Sequence, residues 1–277
     1  MKSITTFIIL LLLVADGHSQ TLDKYDLKEL VRAGIAVNLR NNLDKYDTKE
    51  IIRENPSLVT VIITKFDKYD TKEILREGAK IILANEDFDK YDIKEIIREK
   101  PFLVTVIISK FDKYDTKEIL REGAKIVITN GSLDKYDLKE IIREKPFLVT
   151  TVITNLDKYD TKEVLKEGAK IIIANDNLDK YDLKEIINGN TYLVTVVIMK
   201  LDKYDTKEIL TAGAKIILAN EKLDKYDVKE IIKVNPSLVT VIATNFDKYE
   251  TKEFIREGAR VILKNGYDKY DIKEILN

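Results

Sequence analysis

The sequence predicts an α/β protein, a curved tandem-repeat solenoid in which each unit of 22–23 residues supplies one short helix and one short parallel strand. Three observations predict it. The motif Asp-Lys-Tyr-Asp recurs along the chain, an amphipathic segment follows each copy, and a short β-branched run follows each amphipathic segment. Periodicity of this length is typical of stacked units that share one continuous core.

The repeat has a pairwise period. Successive motifs are 22 and 23 residues apart in alternation, with 21 at each end of the series, so that two units together span 45 residues. We call the units G-type where glycine follows the amphipathic segment and P-type where proline usually does. The motifs begin at Asp23, Asp44, Asp67, Asp89, Asp112, Asp134, Asp157, Asp179, Asp202, Asp224, Asp247 and Asp268, and the copy at Asp247 ends in glutamate.

Each motif predicts a helix start. In the unit that begins at Asp67, we expect the second aspartate, Asp70, to cap the helix and Glu73 to complete a capping box. Gly78 then predicts a left-handed residue at the helix end, so the helix covers residues 71–77. In P-type units, asparagines such as Asn55 take the same place and predict the same conformation.

The run after each helix is aliphatic and β-branched, as in residues 79–84 and 103–108, which favours strands. Helix and strand alternating at this spacing indicate parallel βα units. In shape the architecture resembles leucine-rich repeats, although the asparagine-ended leucine signature of that family is missing. The alternative is an all-α solenoid of helical hairpins, in which Asn55 and Pro56 begin a second short helix.

Alternation along the strands leaves one face of the predicted sheet uncovered by helices. Its middle column is aliphatic, and threonine and lysine alternate along the border. If exposed, such a stripe exceeds the apolar patches of ordinary monomers, so we expect it to bind a partner. The predicted binding residues are Thr60, Ile62, Lys80, Ile82, Thr105, Ile107, Lys125, Val127, Thr150, Val152, Lys170, Ile172, Thr195, Val197, Lys215, Ile217, Thr240 and Ile242.

The first residues differ from the repeats. Lys2 is followed by an apolar run from Ile4 to Val14 and then by small residues, the pattern of a signal peptide. We expect residues 1–19 to be removed and residues 20–277 to form a single solenoid domain. The protein is then secreted, to the periplasm, the cell surface or the extracellular space. No later run is long and apolar enough to predict a transmembrane segment in the mature chain.

Several chemistries lack the residues that they require. The chain has no cysteine, and its single histidine, His18, lies in the predicted signal peptide. Catalytic triads, zinc sites and haem ligation by these residues are excluded, so we expect no enzymatic activity, no catalytic residues, no metal site and no cofactor. The first aspartate of each motif offers one alternative, a ladder of calcium ligands. Basic and acidic residues number 47 and 48, a balance that predicts no nucleic-acid partner.

The sequence therefore predicts a secreted binding or adhesion scaffold that recognises a protein or a polysaccharide through its sheet face. The alternative is a structural protein of the cell surface or extracellular matrix that assembles with itself.

Overall fold

The computed structural model describes residues 22–40, 43–129, 131–263 and 267–276. Within them the chain alternates between short helices and short strands, as the repeat predicts. The helices are α1 (Lys24–Arg32), α2 (Lys45–Glu54), α3 (Lys68–Arg76), α4 (Lys90–Glu99), α5 (Lys113–Arg121), α6 (Lys135–Glu144), α7 (Lys158–Leu165), α8 (Lys180–Ile187), α9 (Lys203–Thr211), α10 (Lys225–Ile232), α11 (Lys248–Arg256) and α12 (Lys269–Leu276).

The strands form one parallel sheet in which each strand pairs with its neighbours in the chain. The predicted α/β repeat is confirmed, and the all-α alternative is wrong. The strands are β1 (Val37–Leu39), β2 (Val59–Ile63), β3 (Lys80–Leu83), β4 (Val104–Ile108), β5 (Lys125–Ile128), β6 (Val149–Ile153), β7 (Lys170–Ile173), β8 (Val194–Ile198), β9 (Lys215–Leu218), β10 (Val239–Ala243) and β11 (Arg260–Leu263).

The first aspartate of the motif caps each helix, whereas the second was expected to do so. The Asp67 carboxylate accepts a hydrogen bond of 2.8 Å from the backbone N–H of Asp70, and the helix begins at Lys68, three residues earlier than predicted. Both aspartates satisfy the sequence rule for a cap, which is why the rule chose the wrong one. The reciprocal capping box appears in α11, where Glu250 stands in the second aspartate's place and accepts from Asp247 N–H.

The two unit types end their helices differently. In G-type units the predicted left-handed glycine is confirmed, for example at Gly78, where φ is +99°. In P-type units it is wrong, because Asn55 is extended, with φ −164°. Asn55 instead caps a single 3-10 turn, so the short element of the all-α alternative is present in reduced form. These turns cover Pro56–Leu58, Pro101–Leu103, Pro146–Leu148, Thr191–Leu193 and Pro236–Leu238.

The register of the sheet shifts steadily from strand to strand. Val61 lies level with Ile81, and Ile81 lies level with Val104. Val104 is two residues before Val106, which occupies the place of Val61 in the 45-residue period. A shift that accumulates in this way tilts the strands and rolls the sheet, as in barrels.

The helix layer closes into a ring. Residues 240 positions apart in the chain meet where α12 lies against α1, and the Lys269 ammonium contacts Asp26 at 2.9 Å and Glu29 at 2.8 Å. Among the described residues the sheet does not close with it, because β1 and β11 are each paired with a described strand on one side alone. The curvature therefore exceeds that of the open arc that we expected, and the sheet keeps a seam between β1 and β11.

A ladder of ion pairs joins neighbouring helices on the outside of the ring. The Lys45 ammonium lies 2.6 Å from Asp70 and 3.2 Å from Glu73 of the next helix, and the Arg53 guanidinium lies 2.8 Å from Glu77. The hydrogen bonds that the Lys45 ammonium donates to Asp70 and Glu73 raise its pKa. Each helix thus presents cations to the helix that follows it. Opposite charges therefore interleave across the stacked repeats.

Candidate functional site

The aliphatic column of the predicted binding face is not exposed. Ile62 and Ile82 are buried, as are most of their equivalents on the other strands, and Ile172 is partly buried. These side chains pack against one another on the inner face of the rolled sheet, in one cluster around Ile82 and a second around Val197. The expectation of an exposed stripe is wrong, because these columns are buried on the inner face of the rolled sheet, where the side chains of neighbouring strands pack together. The buried positions are Ile62, Ile82, Ile107, Val127, Val152, Val197, Ile217 and Ile242.

The threonine and lysine border occupies a different position, at the amino-terminal ends of the strands. Thr60 lies level with Lys80, and Thr105 lies level with Lys125. The threonines are half-buried and the cations are exposed. We call this end of the ring the basic mouth. Its cations are Lys80, Lys125, Lys170, Lys215 and Arg260, and its threonines are Thr60, Thr105, Thr150, Thr195 and Thr240.

The cations of the basic mouth differ from those of the helix ladder in having no carboxylate partner. Within the described ranges, none of the five makes an ion pair, whereas every helix from α1 to α12 contributes lysine to the ladder. The carboxylates of the chain are concentrated on the helix layer. The overall charge of −1 is therefore unevenly distributed: the charges of the helix layer neutralise one another, and the basic mouth is positive.

A cavity of about 480 Å³ opens at the basic mouth. Lys80, Lys125 and Lys170 line it together with threonines of β2, β4 and β6. Two aromatic side chains on the 3-10 turns, Phe102 and Phe147, also reach it. They are 77% and 79% exposed, and Tyr192, at the same position in another P-type unit, is 90% exposed. Large apolar side chains held in water at the rim of a cationic cavity are a feature of binding surfaces.

The aspartate motifs lie at the opposite end of the ring, where the helices begin. The first aspartate caps its helix and the second pairs with lysine of the preceding helix, as Asp70 does with Lys45. In the part of the chain that the structure describes, no three acidic or histidine side chains are grouped to hold a metal ion. The tyrosine of the motif lies at the surface, since Tyr69 is 66% exposed, with the Lys68 ammonium 5.5 Å from its ring centre.

Sequence analysis missed two features of the ring. The first is the set of exposed aromatic side chains on the 3-10 turns, although proline beside Phe102 and Phe147 marked these two as surface residues. The second is Arg40, which follows β1, where the alternation directs it inward. Arg40 is half-buried, and burial lowers the pKa of its guanidinium.

The sequence matches no protein-family profile and no curated protein. Solved structures with some likeness include one described as native KDPGal, with 13% identity and a TM-score of 0.36 over 61% of this chain and 88% of that one. A designed cube-shaped, highly porous protein cage is 12% identical, with a TM-score of 0.36 over 61% of this chain and 67% of that one. A mandelate oxidase variant is 12% identical, with a TM-score of 0.33 over 61% of this chain and 69% of that one.

One prediction is withdrawn. We expected the chain not to be an enzyme, whereas the solved structures with some likeness include a mandelate oxidase variant. The lack of cysteine, and of histidine other than His18, excludes particular catalytic groups and does not exclude catalysis as such. The TM-scores are too low for the likeness to assign an activity to this chain.

No helix in the described ranges is long and apolar enough to span a lipid bilayer.

Proposed function

We propose that this chain is a binding protein whose basic mouth takes an anionic polysaccharide. The observation that carries the proposal is the set of five cations at one end of the ring that have no carboxylate partner among the described residues. A polyanion supplies the missing negative charges and releases its own counterions when it binds, which makes such association favourable and dependent on salt.

The spacing of the mouth suits an extended ligand. The cations stand on alternate strands, two strand separations or about 10 Å apart. Threonine hydroxyls lie level with them on the strands between. The exposed rings of Phe102 and Phe147 add flat apolar surfaces at the rim. A sugar chain carries charged groups, hydroxyls and apolar ring faces in repetition, and each has a counterpart here.

The test compares two triple variants with the same change in charge. One replaces Lys125, Lys170 and Lys215 of the mouth with glutamine. The control replaces Lys65, Lys110 and Lys222, which are exposed in loops that follow strands, at the opposite end of the ring from the mouth. Binding of a heparin oligosaccharide is measured by calorimetry over a range of NaCl concentrations, with neutral dextran as the second control.

We expect the original chain to bind heparin with an affinity that falls as salt rises, and not to bind dextran. The mouth variant should lose about tenfold or more in affinity, or about 1.4 kcal/mol. Its salt dependence should also be shallower by about one unit of slope for each lost contact. The control variant should change little. Equal losses in the two variants, or no salt-dependent binding, would refute the proposal.

Self-association is the second candidate. The exposed Phe102, Phe147 and Tyr192 form an arc of aromatic side chains that a second ring is able to cover. The cations beside them oppose this at low salt, because two mouths carry the same charge. Sedimentation velocity over a hundredfold range of protein concentration distinguishes the candidates. Assembly without added ligand, removed by Phe102→Ser together with Phe147→Ser, favours self-association.

The proposed setting is outside the cell, with residues 1–19 as the signal peptide. These residues lie outside the described ranges, and the support is the pattern of their sequence. We also retain the solenoid description in a restricted sense. The ring is a short solenoid, akin in its repeat to leucine-rich architectures, whose curvature brings its ends together.

A further inference from the structure

The ring contains more helix positions than strands. Described residues form twelve helices that follow one another around the ring, and eleven strands that lie inside them. In every other place one strand lies between a helix and the next helix of the chain. Between α12 and α1 the described residues supply no strand.

The missing position is about one strand wide. The contacts of the Lys269 ammonium with Asp26 and Glu29, at 2.9 and 2.8 Å, are as close as the contacts between helices elsewhere. The helix spacing at the seam is therefore the ordinary spacing of the repeat. Neighbouring strands of a sheet lie about 4.8 Å apart, so a seam that omits one strand separates β1 from β11 by about 10 Å.

Apolar side chains are exposed where this strand would pack. Leu276 of α12 is 43% exposed, whereas the residues at its position in the other P-type helices are all 0% exposed. Ile255 of α11 and Val261 of β11 are also partly exposed, and their equivalents on the other G-type units are buried. The equivalents of Leu276 are Ile52, Ile97, Ile142, Ile187 and Ile232.

The backbone edges and one cation at the seam are placed to meet a further strand. The backbones of β1 and β11 are hydrogen-bonded to a described strand on one side alone, and an edge of this kind is a template for another strand. Arg40 is on the inward side beside the seam, two residues after Asn38, which lies level with Thr60. Its guanidinium is half-buried and faces no carboxylate in the described ranges.

We infer that the seam binds an extended segment of a partner protein, which enters the sheet as its twelfth strand. The molecule displays the required segment in each of its P-type units. The bound segment of the partner runs parallel to β1, carries valine or isoleucine at the positions that face the helices, and pairs with both β1 and β11. From the register of β2 against β3, the residue in the place of Thr64 lies level with Arg40. A carboxylate there neutralises the arginine, so the preferred partner has aspartate or glutamate at that position.

Two peptides probe the seam. The first has the sequence of residues 57–65 of this chain, Ser-Leu-Val-Thr-Val-Ile-Ile-Thr-Lys, and the second has glutamate in place of Thr64. Both carry a fluorophore, and binding is followed by anisotropy with the full chain and with a chain that begins at Gln20. We expect saturable one-to-one binding to both chains and an affinity about tenfold higher for the glutamate peptide, the gain from one new charge pair.

Three variants locate the binding site. Arg40→Gln should remove the preference for glutamate and retain binding of the first peptide. Leu276→Asp should abolish binding of both peptides, because it places a charge under the inserted strand. Val234→Asp is the matched control, a partly exposed aliphatic residue at the end of α10, and it should bind both peptides normally.

The inference is overturned if neither peptide binds, or if Leu276→Asp binds as well as Val234→Asp. It is also overturned if the chain that begins at Gln20 binds while the full chain does not, because the occupant is then residues 1–19 of the same chain. Binding that survives loss of the mouth lysines separates this site from the polysaccharide site.

Discussion

An ordinary junction between repeats and the junction at the seam have the same contacts in the helix layer and differ in the sheet. Between α2 and α3, lysines of one helix reach carboxylates of the next, and strands β1, β2 and β3 continue beneath them. Between α12 and α1 the lysine contacts are the same, and the described residues supply no strand. Charge contacts between long side chains form wherever two helices meet, whereas the sheet requires a segment of chain in the right register.

The largest expected difference between the junctions concerns the core. Ile97→Ala in α4 removes a fully buried side chain and should lower the free energy of unfolding by about 2–5 kcal/mol. Leu276→Ala removes the equivalent side chain at the seam, where it is partly exposed, and should cost less than about 1 kcal/mol. Urea unfolding followed by circular dichroism measures both. Similar losses would show that the seam is packed as tightly as an interior junction.

The next difference concerns acid. Hydrogen bonds from Lys269 and Lys273 lower the pKa of Glu29 to about 2, from an ordinary value of 4.5. Because the folded pKa is depressed, the stabilisation is present above pH 4.5 and is lost as the pH falls from 4.5 towards 2. We expect α1 and α12 to separate in this range, since no strand joins them.

Fluorescence energy transfer tests the separation, and the absence of native cysteine simplifies the labelling. One pair of labels is introduced by Tyr25→Cys and Tyr270→Cys across the seam. The control pair, Tyr91→Cys and Tyr114→Cys, spans an interior junction that has its strand. Transfer should fall across the seam alone. An equal fall for the control pair would mean that the whole ring, rather than its seam, opens in acid.

The smallest effect is expected from single lysines of the ladder. Lys45→Gln and Lys269→Gln each remove contacts with an aspartate and a glutamate of the following helix. Both should change the melting temperature slightly, because exposed ion pairs contribute little. Hydrogen exchange should nevertheless increase in α1 and α12 for Lys269→Gln and stay near the original level for Lys45→Gln. Faster exchange around Lys45 to the same degree would remove the distinction between the junctions.

Local features of this fold were accessible from the sequence. Valine and isoleucine runs predicted the strands, and Gly78 predicted the left-handed end of its helix. The cap was misplaced by three residues because Asp67 and Asp70 are both suitable caps, and their choice depends on where Lys45 of the preceding unit reaches. A rule that considers one unit at a time has no access to that contact.

The site depended on a quantity that no single residue encodes. Whether Ile62 and Ile82 face solvent is decided by the rotation from one unit to the next, summed around the ring. A small rotation leaves their column open to a partner, and the observed rotation buries it. The border of Lys80 and Lys125 was identified correctly as a distinct feature, because charge at regular spacing on one face is visible in the sequence. Its position at one end of a closed ring was not.

The ion-pair ladder has one direction around the ring, and this bears on how many repeats the ring can hold. Every helix presents lysines to one neighbouring helix and carboxylates to the other. Any unit therefore fits beside any other, and added pairs of units would keep the same ion pairs. The contact between Lys269 and Glu29 sets a geometric barrier instead. A further pair of units inserted at the interior has no room in the circle and forces the ends past each other, so that the chain becomes a rising helix. The number of units is then set by the geometry of the ring rather than by the chemistry of the contacts between its units.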